Sequence, residues 1–289
     1  MARSPSKVVD GQTRPAPPSR FQSKALALLV VALIVWSVVT IDVDLERLID
    51  LPARLGDSIR RMFLPPDWGY TGRAVEGMIE SIQIAWIGTL IGAALSLPLG
   101  FLGAKNVSAG PVSSIIRQIL NGIRAIPELV LAVVIFIPIL GLGPFAGTMA
   151  IGIHSIGTLG KLTAEVVEGV DPGPVEAARA SGASQVQTLR WGVLPQVLPD
   201  IVAFWLYRFE INIRAAAILG IVGAGGVGAI LQNTLTFRRW ELAGTTVIVI
   251  IIATIAIDYV SAAVRRRIIE GGAHRQRADV IEQPELAVT

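Results

Sequence analysis

Ionisable side chains inside long uncharged runs are where this sequence could do chemistry. Arg124, Glu128, Glu210 and Arg214 stand in such runs or at their edges. A charged side chain costs about 2.5–3.5 kcal/mol at the centre of a bilayer, so it turns to a partner or to a water-filled cavity. The spacing leaves both outcomes open. Arg124/Glu128 and Glu210/Arg214 are each four residues apart, and on a helix each pair would neutralise itself and fix packing. In the other outcome the same charges gate a polar path.

Little else looks catalytic. There are no cysteines, which excludes disulfides, thiolate metal sites and cysteine nucleophiles. His154 and His274 lie far apart, which speaks against a histidine metal site. Gly223-Ala224-Gly225-Gly226-Val227-Gly228 satisfies the three-glycine dinucleotide pattern. That pattern has force only between a strand and a helix, and no alternating strand pattern precedes it. What Gly223, Gly225, Gly226 and Gly228 provide is backbone that bends and admits close neighbours. Irregular backbone at membrane depth is tolerated only when buried in protein or lining a cavity, so a pathway-lining turn is expected. Gly160-Lys161 resembles the end of a phosphate-cradling loop, but Leu162 replaces the required hydroxyl residue and position 155 is Ser155 rather than glycine. The chain is therefore read as having no catalytic residues and no cofactor of its own.

The elements that hold these groups follow from composition. Of 289 residues 52% are hydrophobic and 16% charged, with mean hydropathy +0.62; soluble domains carry about 25% charged residues. The deficit lies in long uncharged runs, which points to lipid. The expected fold class is an all-α membrane protein with about six transmembrane helices: Ala25–Ile41, Ser81–Ala104, Ile126–Leu140, Phe145–Gly160, Val197–Ala216 and Ala243–Val264. The first run is read as a retained span, because it is longer than a signal-peptide core and no small-residue cleavage site follows.

Arg20, Lys24, Lys105, Lys161 and Arg265-Arg266-Arg267 fall at alternate ends of these runs, so both termini are expected in the cytoplasm of a multi-pass cell (plasma or inner) membrane protein. Arg238 and Arg239 are exceptions to that rule. A net charge of +3, with the basic residues gathered at span ends, fits membrane topology rather than nucleic acid. Residues 1–24 are read as a disordered cytoplasmic tail, 42–80 as an external segment with a short amphipathic helix, 81–267 as the core with a cytoplasmic loop at 164–195, and 268–289 as a second cytoplasmic tail, disordered after Gly271. Gly88, Gly92, Ser96, Gly100 and Ala104 recur at every fourth position, a stripe for close helix packing, and Pro98 is expected to kink that helix.

The loop at 164–195 is too ordered to be a plain connection. Gly173-Pro174 is expected to open a helix through Ala177, Ala178 and Ala180 that Gly182 breaks. A second helix, with Val186, Leu189 and Val193 on one face, is expected to end at Leu194-Pro195. Two short helices at a glycine hinge make a knob suited to a groove on another protein. Glu176-Ala177-Ala178, Gly182 four residues on, and Leu194-Pro195 resemble the EAA loop of ATP-binding-cassette importer permeases. Gly192 departs from that pattern, which has isoleucine there, and removes an apolar contact. Arg124-Ala125-Ile126-Pro127-Glu128-Leu129, Leu142 to Gly147, His154, Arg179 to Ala183 and Arg208 to Gly228 look like the phosphonate-transport permeases.

The resemblance covers roughly Gly72–Arg267. It implies an importer type I permease fold and a transport subunit for phosphonate, phosphate or phosphite. It further implies two copies of a cytoplasmic ATPase that bind ATP and Mg and dock on Glu176, Ala177, Ala178, Gly182, Leu194 and Pro195. An external binding protein and a second permease copy, identical or sister, complete the set, and membrane lipid surrounds it. For such an anion, His154 and Ser155 with Arg214 are expected to line the path. His154 could instead be a core histidine bonded to a backbone carbonyl. The rival functions are import of another small solute such as methionine, a self-sufficient secondary transporter, and a scaffold.

Overall fold

A computed structural model of the chain describes residues 20–40 and 45–281, with side chains described over 23–40 and 49–268. Expectations for residues 1–19, 41–44 and 282–289 lie outside the described residues. All regular structure among the described residues is helical. The chain divides into two compact units, Met1–Asp57 and Ser58–Thr289. The first unit holds α1 (Arg20–Thr40), an uninterrupted apolar helix long enough to cross a membrane. It also holds most of α2 (Leu45–Phe63), where Ile49, Leu55 and Ile59 are exposed and Asp50 pairs with Arg54 at 3.2 Å. This is the amphipathic helix expected in the external segment.

The second unit is built on α3 (Thr71–Gly103) and α7 (Pro144–Glu168). They run parallel, with Gly88 against Ile151, Gly92 against Ser155 and Gly100 against Thr163. The small-residue stripe of α3 therefore faces α7. A Cβ added at Gly88 would stand 2.7 Å from Ile151 Cγ2, so the backbones approach as small-residue membrane interfaces do. Between them the chain returns through α4 (Gly110–Ala125), α5 (Glu128–Val130) and α6 (Ile137–Leu140). After α7 come α8 (Pro172–Ala180), α9 (Gln185–Thr188), α10 (Leu194–Leu219), α11 (Gly226–Thr236) and α12 (Trp240–Ile281). The core of this unit gathers small and branched side chains, Ile84, Ala85, Ala132, Ala150, Ile151, Ile213 and Ala216 among them.

Two expectations are corrected here, the continuity of the third span across α5 and α6 and the end of α12. The span expected at Ile126–Leu140 is not one continuous helix; α5 and α6 flank a π-helical stretch at Leu131–Phe136, and the α5–α6 segment bends 77° from α4. Among the described residues three helices are long and apolar enough to cross a membrane, or up to five if each bent pair is one span. α7, where the fourth span is expected, is not among them, because its glycines, hydroxyl side chains and His154 lower its hydropathy. Last, α12 runs on to Ile281, past Gly271, where order was expected to end. Two glycines there cost about 2 kcal/mol of helix propensity, and Arg275, Arg277 and Ala278 favour continuing the helix.

Candidate functional site

Pro127 shapes the polar centre of the bundle. The residue before a proline is driven out of the helical region, and Ile126 is extended at φ −91° and ψ 117°. α4 therefore ends at Ala125 and Glu128 opens a new element. Arg124 and Glu128 are four apart in sequence but do not share a helix, which overturns the self-neutralising pair expected there. α4 meets α7 at Gly157, where an added Cβ would lie 2.8 Å from Arg124 N. One turn earlier on α7 stands His154.

His154 Nδ1 lies 3.2 Å from Glu128 Oε2 and 2.6 Å from Arg208 Nη2. Arg208 Nε donates to Ser155 Oγ at 3.0 Å. Asn212 Nδ2 donates to the same hydroxyl at 3.1 Å and to Thr89 Oγ1 at 2.8 Å. Arg208 is 7% exposed, and Ser155 and Asn212 are wholly buried. The cluster thus joins α5, α7, α10 and α3 and lies against α4. Arg208 is buried within it, Arg124 is exposed at its edge, and the charges of both, with that of Glu128, act on His154. Before His154 is counted the cluster carries one positive charge in excess. That is the electrostatics of an anion site, held by hydrogen-bond donors that cannot lose their charge.

The sequence reading set His154 and Ser155 with Arg214 on a path and Arg124 with Glu128 as a pair or gate. The structure brings Glu128, His154 and Ser155 together around Arg208 and places Arg214 against Asp258 instead. The sequence reading missed Arg208 and Asn212 as members. The available signal was an arginine in the middle of the apolar run from Ile201 to Leu219, one of two there.

The second expected pair is also redistributed. Glu210 and Arg214 share α10, but each turns to α12. Glu210 pairs with Arg265, and Arg214 holds Asp258 through both carboxylate oxygens at 2.7 and 2.6 Å. One guanidinium nitrogen, Nη2, donates to both oxygens of Asp258, a charge-assisted contact that replaces the expected pairing with a neighbour one turn away on the same helix. Asp258 was not anticipated, although it is the one acid in the apolar run of α12.

The glycine run is a packed break between α10 and α11, which bend 55° from each other. Gly223 has φ 98°, Gly225 79° and Gly226 69°, a region that side chains with a Cβ rarely enter. The Gly223 carbonyl accepts from Gly143 N at 2.8 Å. Ser81 of α3 caps α11 by accepting from Val227 N at 3.0 Å. Gly228 lies against the backbone of Ala217, where a Cβ would collide. Gly225 and Gly226 line a cavity of about 270 Å³ with Arg73, Glu76, Glu80 and Asn233.

The knob forms, with different boundaries. Asp171 caps α8 by accepting from Gly173 N at 2.9 Å, and Pro172, not Pro174, takes the opening position. Gly182 has φ 78° and makes the hinge. Ser184 and Gln187 form a reciprocal capping box on α9. Leu194-Pro195 does not end the second helix; a π-helical turn at Leu189–Val193 carries it into α10. Such wide turns lack the regular i−4 bond, so the proline's missing donor is accommodated there. Val193 and Gly192 are buried and Leu189 is partly so, while Val186, Trp191, Glu176 and Ala177 are all exposed. At Gly192 an added Cβ would lie 3.2 Å from Val175 Cα and 3.3 Å from the Pro174 carbonyl. Glycine at this departure position is where α8 crosses the second helix.

The knob stands over a pocket of about 590 Å³ bordered by Asn106, Glu168 and Thr188. Glu168, at the C-terminal end of α7, anchors its rim. Its Oε1 accepts from Lys105 N at 2.6 Å and from the Arg117 guanidinium. Burial alone would push this carboxyl up, but the two donors outweigh it and hold it below the usual carboxylate range.

The comparisons with known proteins agree with this architecture. The profile of the family described as binding-protein-dependent transport system inner membrane component matches residues 96–270. The phosphate-import permease protein PhnE of Mycolicibacterium smegmatis is 47% identical over 191 residues, 66% of this chain and 36% of that protein, so the match spans about a third of its length. The phosphite transport system permease protein PtxC of Stutzerimonas stutzeri is 37% identical over 204 residues, 70% of this chain and 74% of that protein. Among solved structures, a chain of the inward-facing MetNI methionine ABC transporter superposes with TM-score 0.61 at 22% identity, covering 70% of this chain and 99% of that one. At that identity the likeness concerns the fold.

Proposed function

From the premise that this chain belongs to the binding-protein-dependent transport system inner membrane component family, we propose that it is the permease subunit of an ATP-driven importer of a phosphorus oxyanion. Phosphate, phosphite and phosphonate all fit the chemistry. ATP and Mg are bound and hydrolysed in a separate pair of ATPase subunits, which grip the knob of α8 and α9 through Glu176, Ala177 and the exposed Val186 and Trp191. An external binding protein delivers the anion, and a second permease copy completes the path. The chain is multi-pass, with six spans once α7 is counted, and both ends are cytoplasmic.

One observation carries the substrate class. The cluster of Arg124, Glu128, His154 and Arg208 is short by one negative charge and offers guanidinium and imidazole donors at the crossing of α7 and α10. A path for an anion has to offer such donors without trapping the ion, since conduction requires binding weak enough to release. PhnE and PtxC, the relatives named for phosphate and phosphite, support the same class. The methionine transporter supports the architecture only.

The test is uptake of labelled phosphate at low concentration, in cells with and without the gene, with excess unlabelled alkylphosphonate as competitor. Loss of uptake on deletion with little competition makes the cargo phosphate. Unchanged phosphate uptake with lost growth on phosphonate makes it phosphonate. If neither changes, and phosphite uptake is also intact, the substrate class is wrong.

A further inference from the structure

We propose that Glu128 competes with the transported oxyanion for Arg208 and His154, a carboxylate gate that has to leave this cationic pair before cargo occupies it. The inference rests on the phosphorus-oxyanion function above.

The geometry at His154 Nδ1 carries it. That atom lies 2.6 Å from Arg208 Nη2 and 3.2 Å from Glu128 Oε2. A ring nitrogen has one in-plane direction: with a lone pair it accepts from arginine, and with a proton it donates to a carboxylate. It cannot do both. While Arg208 is bonded to the imidazole, Glu128 is held by charge alone, because its carboxylate has no other hydrogen-bond partner among the described residues. Its charge still acts on both His154 and Arg208.

Position adds a second argument. Arg208, Ser155 and Asn212 are locked to one another on α7 and α10. Glu128 is not. It follows the Pro127 break, opens a three-residue helix, and is the more exposed partner in its ion pair, 29% against 12% for His154. Its carboxylate moves by a local change at that break, while the donors stay in place. A carboxylate and a phosphorus oxyanion present the same feature to a guanidinium, two oxygens able to accept in parallel. Two anions cannot share the pair, since like charges at such range disfavour one another. The gate therefore serves two ends. It neutralises a buried arginine that would otherwise stand uncompensated, and it weakens the hold on cargo so that the anion passes on.

The experiment uses the full-length chain assembled with its ATPase subunits in lipid nanodiscs, and inorganic [32P]phosphate as probe. Glu128→Gln keeps the size and removes the charge. Its equilibrium dissociation constant for phosphate should fall about tenfold below wild type, as expected for deleting a like charge a few ångströms away in a polar interior. Turnover in uptake should fall with it, because release slows. Glu128→Asp, which withdraws the carboxylate by one methylene, should tighten binding about threefold; it decides the matter if the glutamine variant does not assemble. Unchanged or weaker phosphate binding, in a variant that melts with wild type, overturns the proposal. Arg208→Gln reports separately: if it binds phosphate as wild type does, the cluster is not the transit site, and the functional reading falls together with the gate.

Discussion

Arg208 is the side chain on which the polar centre turns. It is buried, it fixes Ser155 through Nε and His154 through Nη2, and Glu128 is the carboxylate that offsets it. Removing one partner of a buried charge pair costs about 3–5 kcal/mol, because the other is stranded. Arg208→Gln is therefore expected to lower the melting temperature of the purified protein and to reduce uptake at least tenfold. Arg208→Lys, which keeps the charge but not the fork, should fall between the two. Arg214 and Asp258 make a more exposed pair between α10 and α12. Asp258→Asn should destabilise by leaving a guanidinium without its carboxylate. The double variant Arg214→Gln/Asp258→Asn should melt closer to wild type than either single change, which a double-mutant cycle measures directly.

Elements meet where a residue forgoes a side chain. Gly192 is where α8 lies against the second helix of the knob, with Val175 Cα and the Pro174 carbonyl both within 3.3 Å of an added Cβ. The isoleucine usual in the resembling loop would have to push α8 aside, and overpacking of this kind costs about 1–3 kcal/mol. Gly192→Ile should therefore loosen the knob and weaken association with the ATPase in a pull-down or by light scattering. Gly192→Ala should do so less. A Gly192→Ile knob that binds the ATPase better would mean that glycine serves no packing purpose there. The bend at Pro127 works by the opposite device. A missing donor ends α4 and hands Glu128 to the cluster, so one proline converts a four-residue sequence spacing into a contact across helices.

At the scale of the molecule, an ionic tie at Glu168, beside the Asn106 Nδ2 bond to the Val167 carbonyl at 2.7 Å, holds the α3–α4 turn to the end of α7. Glu168 accepts from Lys105 N and Arg117, and its folded-state pKa lies below its unfolded one. The tie therefore stabilises above the unfolded value, near the ordinary 4.5, and is lost as pH falls through the lower folded value. Glu168→Gln should melt earlier than wild type at neutral pH. The gap between the two should close as pH is taken below the ordinary carboxylate range. A gap that is independent of pH would assign Glu168 a packing role instead of an ionic one. Because the same carboxylate borders the pocket beneath the knob, this variant should also blunt stimulation of the ATPase by the permease.

Much of this organisation was legible in the chain itself, for a physical reason. Solvent preference is written in composition, so the apolar runs announced membrane helices, and local backbone chemistry marked the knob through Gly173-Pro174 and Gly182, while the caps at Asp171 and Ser184 came only with the structure. The small-residue stripe declared a packing face because only glycine, alanine and serine at every fourth position leave room for another backbone. Which backbone was undetermined, since a stripe is compatible with any partner; the fold selected α7. Charge pairing was read wrongly for the same reason. A spacing of four specifies a neighbour only if the helix continues, and Pro127 stops it between Arg124 and Glu128. Arg208, Asn212 and Asp258 acquire meaning only when α7, α10 and α12 are brought together, because hydrogen bonds and ion pairs depend on ångström distances between residues some 40 to 120 positions apart.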